Sequence, residues 1–171
     1  MSFDFFIRID TPGAGFYNIR LVNSENVFAS TTSIRIYGDG KVTYGINNEV
    51  LLPTLQQNHW YRVTVVYDLD HAIGTYYLHD NEEDYLEAVQ NGTGLTANIN
   101  LPAGLSFTGV AVSGMGSSTA GTIYFDNWRV FTGTTEPETP PFIDNSEVPE
   151  EPEEPEEPEQ PGDYLFYPNF N

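Results

Sequence analysis

The 171-residue chain sets 25 acidic side chains against six basic ones, a formal charge of −19, and has no cysteine. Acidity without any basic cluster argues against nucleic acid or an anionic membrane surface as partner, and the missing cysteine excludes disulfides, thiolate zinc sites and a cysteine nucleophile. No apolar run approaches the roughly 18 residues that cross a bilayer as a helix, so membrane insertion is not expected.

The first residues alternate, with Phe3, Phe5, Ile7 and Ile9 on one face and Asp4, Phe6, Arg8 and Asp10 on the other, which reads as a strand. No basic leader precedes a smooth apolar run here, so the start does not read as a signal peptide, and any exported parent would carry this chain as an internal piece. Thr11-Pro12-Gly13-Ala14-Gly15 supplies turn chemistry before 16–22 extends again, and the pattern predicts a hairpin. A second hairpin is predicted from 33–37 and 41–46, joined by Gly38-Asp39-Gly40. A long strand follows over 60–69, with Val63, Val65, Tyr67 and Leu69 on one face and Arg62, Thr64, Val66 and Asp68 on the other. Asp70 to Gly74 turns it into 75–79. The acidic patch 80–84 leads into Tyr85-Leu86-Glu87-Ala88-Val89, which fits a short helix or an edge strand equally. Segments 95–101 and 105–112 extend, Ser113 to Ser118 reads as a loop, and 121–132 is the closing strand. About nine short strands with no long amphipathic helix predict an all-β fold, an antiparallel β-sandwich of jelly-roll type, over residues 1–135.

The remainder has another character. Residues 136–162 hold eleven acids and no Lys or Arg, and from Pro149 proline recurs every third residue with Glu in nearly all the gaps. Proline blocks helix and the glutamates repel one another, so this segment is expected to be a disordered, stiff polyproline-II linker of about 3 Å per residue. Residues 1–135 then carry thirteen acids against all six bases, a charge near −7. Residues 163–171 turn aromatic again and read as the start of a following, covalently linked module or as a strand returning to the sandwich.

Asp126-Asn127 interrupts the closing strand. Both are poor strand formers, so the pair either caps a bulge or offers hard oxygens to a calcium ion. Tyr37, Tyr44 and Trp128 are the aromatics expected at the surface, whereas Trp60, Phe5, Phe107 and Phe125 are expected in the core. Five of the six basic residues are arginines inside strands, Arg35 and Arg62 among them. A groove for an acidic polysaccharide explains this, and so do cross-strand pairs with Asp or Glu. Catalytic chemistry is not expected. No strand alternates carboxylates as a glycosidase does, Gln57-Asn58-His59 does not make the Gln-x-His of a jelly-roll lyase, and His59, His71 and His79 lack metal spacing.

Residues 60–69, Gly74-Thr75-Tyr76-Tyr77-Leu78 and Thr122-Ile123-Tyr124-Phe125-Asp126-Asn127 together resemble the concanavalin A-like lectin/glucanase superfamily. More narrowly, they are similar to laminin-G-like modules of bacterial extracellular polysaccharide-degrading enzymes. The likeness covers residues 1–132 and departs in one respect: the outer strand that usually precedes the one beginning here at Phe3 is missing or supplied by another segment. It implies a jelly roll, sugar binding and in some members a structural calcium ion. The expected function is a non-catalytic carbohydrate-binding accessory module of an extracellular protein, with Tyr37, Tyr44, Trp128, Arg35 and Arg62 facing the glycan and Asp126 and Asn127 the ion. The rival functions are a structural or adhesive surface module without sugar binding, and a glycosidase or lyase domain.

Overall fold

The computed structural model describes residues 1–23, 32–45, 47–51, 53–99, 107–116, 121–131, 142, 143 and 145. The described residues form ten strands and one helix: β1 (Ser2–Thr11), β2 (Gly15–Val22), β3 (Ile34–Tyr37), β4 (Val42–Tyr44), β5 (Glu49–Leu51), β6 (Tyr61–Asp68), β7 (Ile73–His79), α1 (Glu82–Asn91), β8 (Leu95–Asn98), β9 (Gly109–Gly116) and β10 (Thr122–Phe131). They make two five-stranded sheets, ordered β10-β1-β6-β7-β8 and β5-β4-β3-β2-β9. Every strand pairing within the sheets is antiparallel, so the chain is an all-β antiparallel sandwich.

Period-two alternation places the core. Phe3, Phe5, Ile7 and Ile9 of β1 and Val63, Val65 and Tyr67 of β6 face Ile19 and Leu21 of β2 and Ile34 and Ile36 of β3, all in one buried cluster. Tyr76 of β7 bridges the layers, its ring 4.5 Å from Tyr44 and 6.2 Å from Tyr67.

The β3–β4 hairpin forms with Ile36 opposite Val42, and β6 turns into β7 with Asp68 opposite Ile73. Asp68 accepts from the backbone N–H groups of Asp70 and His71, which is ordinary turn chemistry. The first expected hairpin does not form. β1 lies between β10 and β6, and β2 lies in the other sheet between β3 and β9. Residues 12–14 therefore form a corner between layers. Turn-forming residues between two alternating segments fit such a corner as well as a hairpin, because both let the apolar faces meet. The corner is pinned by the Gly38 N–H donating to the Gly15 carbonyl at 3.0 Å, and a Cβ on Gly38 would stand 2.2 Å from the Gly13 carbonyl oxygen. β9 also runs through Gly116, past the expected loop start at Ser113.

Residues 82–91 are helical. Asn81 caps the N-terminus by accepting from the Asp84 N–H, three acids occupy the first turn, and Gly92 closes the C-terminus in the left-handed region. The helix lies on the outer face of the first sheet, where Tyr85 and Ala88 are buried against Tyr77. Phe142, inside the stretch expected to be linker, joins that cluster with its ring 5.4 Å from Phe6. Asn145 accepts the Trp60 N–H through Oδ1 and donates to the Trp60 carbonyl. The folded unit thus draws on residues beyond 135. The proline-rich run from Pro149 and the terminal segment 163–171 lie outside the described residues.

Candidate functional site

The outer face of the second sheet brings two of the expected residues together. Since Ile34 and Ile36 point inward, Arg35 and Tyr37 point outward, and the β2–β3 register sets Phe16 opposite Tyr37 and Asn18 opposite Arg35. Both rings are half-buried and pack at 5.3 Å with 39° between their planes. The Arg35 guanidinium lies 5.6 Å from the Phe16 ring, and the Lys41 ammonium 5.7 Å from the Tyr37 ring. The order along the surface is cation, ring, ring, cation.

Arg35 donates through Nη1 to the Asn48 side-chain carbonyl at 2.5 Å. Asn48 has φ of 53° in the turn before β5, a conformation that asparagine tolerates better than most residues. Beside Arg35 the same row holds Asn18 and Thr43, its Cα partners on β2 and β4. Asn18 Oδ1, Arg35 Nε and Thr43 Oγ1 are all buried with no hydrogen-bond partner. Beyond Tyr37 the surface drops into an open hollow of about 640 Å³ lined by Pro12, Gly13, Ala14, Gly15, Tyr37, Gly38 and Asp39. Asp39 is tied into its own turn by accepting the Lys41 N–H at 3.1 Å.

The other expected residues lie elsewhere. Tyr44 is only 5 % exposed, a correction to its expected place at the surface. In β4 the alternation turns Thr43 outward and Val42 and Tyr44 into the core, and burial followed by the Glu49 contact raises the Tyr44 phenol above its ordinary pKa.

Arg62 also departs from its expected exposure on a groove, being 2 % exposed on the outer face of the first sheet. It donates to Asp4 Oδ2 at 2.5 Å, and the Tyr85 ring covers its guanidinium at 4.0 Å. Arg129 grips both oxygens of the same carboxylate, so the cross-strand explanation holds for these two arginines. Trp60 is half-buried rather than core, standing 5.2 Å from the Arg8 guanidinium.

Trp128 is 36 % exposed and stacks on Phe5 at 4.3 Å. Asp126 and Asn127 are where β10 bulges. The β1–β10 register slips between the Asp4–Arg129 and Phe6–Asp126 pairs, Asn127 has φ of 50°, and Asp126 Oδ1 accepts the Asn127 N–H. Both side chains are exposed at the sheet edge. Among the described residues no group of three or more His, Asp or Glu is arranged to hold a metal.

Phe16, Lys41 and Asn48 are members of the outward cluster that the residue pattern did not single out. Each is brought to Tyr37 or Arg35 by cross-strand register or by a turn, and neither is readable from one strand alone. The alternation within 16–22, opposite in phase to the buried Ile19 and Leu21, is the one signal that bears on Phe16. Comparisons of the chain with protein-family models, curated proteins and solved structures returned no match.

Proposed function

We propose that this chain is a non-catalytic carbohydrate-binding module of the laminin-G-like kind, carried by a multidomain extracellular protein, and that it holds its glycan on the outer face of the second sheet. Sugar recognition combines an aromatic surface for the C–H faces of pyranose rings with a few polar groups for the hydroxyls. The observation that carries the reading is the half-buried Phe16–Tyr37 pair, set between Arg35 and Lys41 and opening onto the hollow at residues 12–15. The rings supply the apolar surface. Arg35, Lys41 and Asn48 supply donors and acceptors beside it. A module of this kind raises the local concentration of its covalently attached neighbours at a polymer.

Glycan-array binding and affinity electrophoresis of the full chain, with Tyr37→Ala as control, test the proposal. Binding to at least one polysaccharide is expected, weakened about tenfold or more by Tyr37→Ala, in keeping with the loss of about 1.4 kcal/mol of contact. An absence of glycan binding, or a folded Tyr37→Ala protein that binds as the parent does, overturns it and leaves a structural or adhesive role. Release of saccharides by the isolated chain would overturn the non-catalytic part.

A further inference from the structure

We infer that the glycan held on this face is anionic, bearing carboxylate or sulfate groups, with Arg35 and Lys41 as the cations that receive them; the inference rests on the carbohydrate reading above. Its ground is how this acidic chain deploys its few positive charges. Arg62 and Arg129 are both spent on Asp4, Arg8 reaches Asp10 at 3.9 Å, and Arg20 donates to Ser113 Oγ at 3.3 Å. Arg35 and Lys41 have no carboxylate within ion-pair distance among the described residues. Arg35 leans on a neutral amide and a ring, and Lys41 stands beside a ring.

Thirteen acids against six bases in residues 1–135 make free carboxylates plentiful, so two cations without one, on the same face and bracketing the same pair of rings, are a selective arrangement. A neutral sugar needs no such charge. Asn48 takes Nη1 of the guanidinium and Nε is buried, so Nη2 is the charged donor that would meet a carboxylate or sulfate oxygen.

The net negative charge of the domain opposes an anionic polymer only at long range, and in about 0.15 M salt that repulsion is screened beyond roughly 8 Å. The two cations act at contact distance.

Polymers matched in backbone and differing in charge test the inference. Affinity electrophoresis of the full chain would compare polygalacturonate with its methyl ester, and a sulfated galactan with its desulfated form, alongside an array holding acidic and neutral glycans. Retention by a charged polymer, at least tenfold weaker for the uncharged counterpart, is expected, and the pair that shows it distinguishes carboxylate from sulfate. Arg35→Gln should abolish the preference. Lys41→Gln, at an exposed position, should reduce it several-fold. Equal retention of charged and neutral counterparts, still lost in Tyr37→Ala, would overturn the anionic ligand and leave the sugar-binding face standing. Retention of no glycan on gel or array would remove both.

Discussion

Asp4 is the residue on which the outer face of the first sheet depends. It is 2 % exposed, yet it is charged, and two guanidinium groups converge on it from β6 and β10. A buried carboxylate is tolerated when its lone pairs are filled by charged donors, and here both oxygens are taken. Taking it away would strand Arg62 beneath Tyr85 with its charge uncompensated. Asp4→Ala is therefore expected to lower the unfolding free energy by about 3–5 kcal/mol, as for other broken buried pairs. Arg129→Ala, whose side chain is 21 % exposed, should cost distinctly less. Urea denaturation of the two variants checks the order, and an Asp4→Ala protein as stable as the parent would show that the cluster contributes nothing.

At the scale of the element, β10 shows how one residue resets a strand. Without an extra residue, strict alternation from Phe125 would send Trp128 outward and Arg129 into the core. The bulge at Asn127 shifts the phase, so that Arg129 meets Asp4 outside while Trp128 stacks on Phe5 inside. A β-branched residue at φ near +50° is strained, whereas glycine is not. Asn127→Val should cost roughly 1–2 kcal/mol and Asn127→Gly well under 1 kcal/mol, as read from chemical denaturation; equal effects would mean that the left-handed backbone there is unimportant. The interruption was visible in the sequence as Asp-Asn among apolar neighbours, and so were the apolar faces of β1 and β6. What alternation could not supply is which strands lie side by side. The chemistry of 11–15 marks a change of direction without saying whether the chain stays in its sheet. For the same reason Tyr44 looked like a surface residue, because assignment to a face depends on the β3–β4 register. The helix at 82–91 stayed ambiguous because so few of its residues, Tyr85 and Ala88, are buried to set a period, although Asn81 and Gly92 are sound capping residues.

The molecule as a whole is a sandwich with unequal outer faces. The first sheet is covered by α1 and by Phe142 and Asn145, while the second presents the aromatic and cationic cluster. Composition alone assigned residues 136–162 to a linker, because acids and prolines dominate there and hide two residues that pack. A chain ending at residue 135 should consequently be less stable than one ending at residue 147, by about 2–3 kcal/mol for the lost cover of Phe142 on Phe6 and Tyr85. Coincident melting curves for the two truncations would show that 142–145 add nothing to the fold.

The row of Tyr44, Tyr76 and Tyr67 between the sheets has a consequence in strong base. Burial pushes the Tyr76 phenol up to about 12 and holds Tyr67 well above its ordinary value of 10.0. A group whose native pKa is raised lends stability that is complete below its unfolded value and disappears as the solution passes upward through the native one. From pH 10 toward 12 each buried hydroxyl should thus pull the equilibrium toward the open chain. Part of the phenolate absorbance should then appear in one cooperative step together with the collapse of the strand dichroism, making the protein its own alkaline indicator.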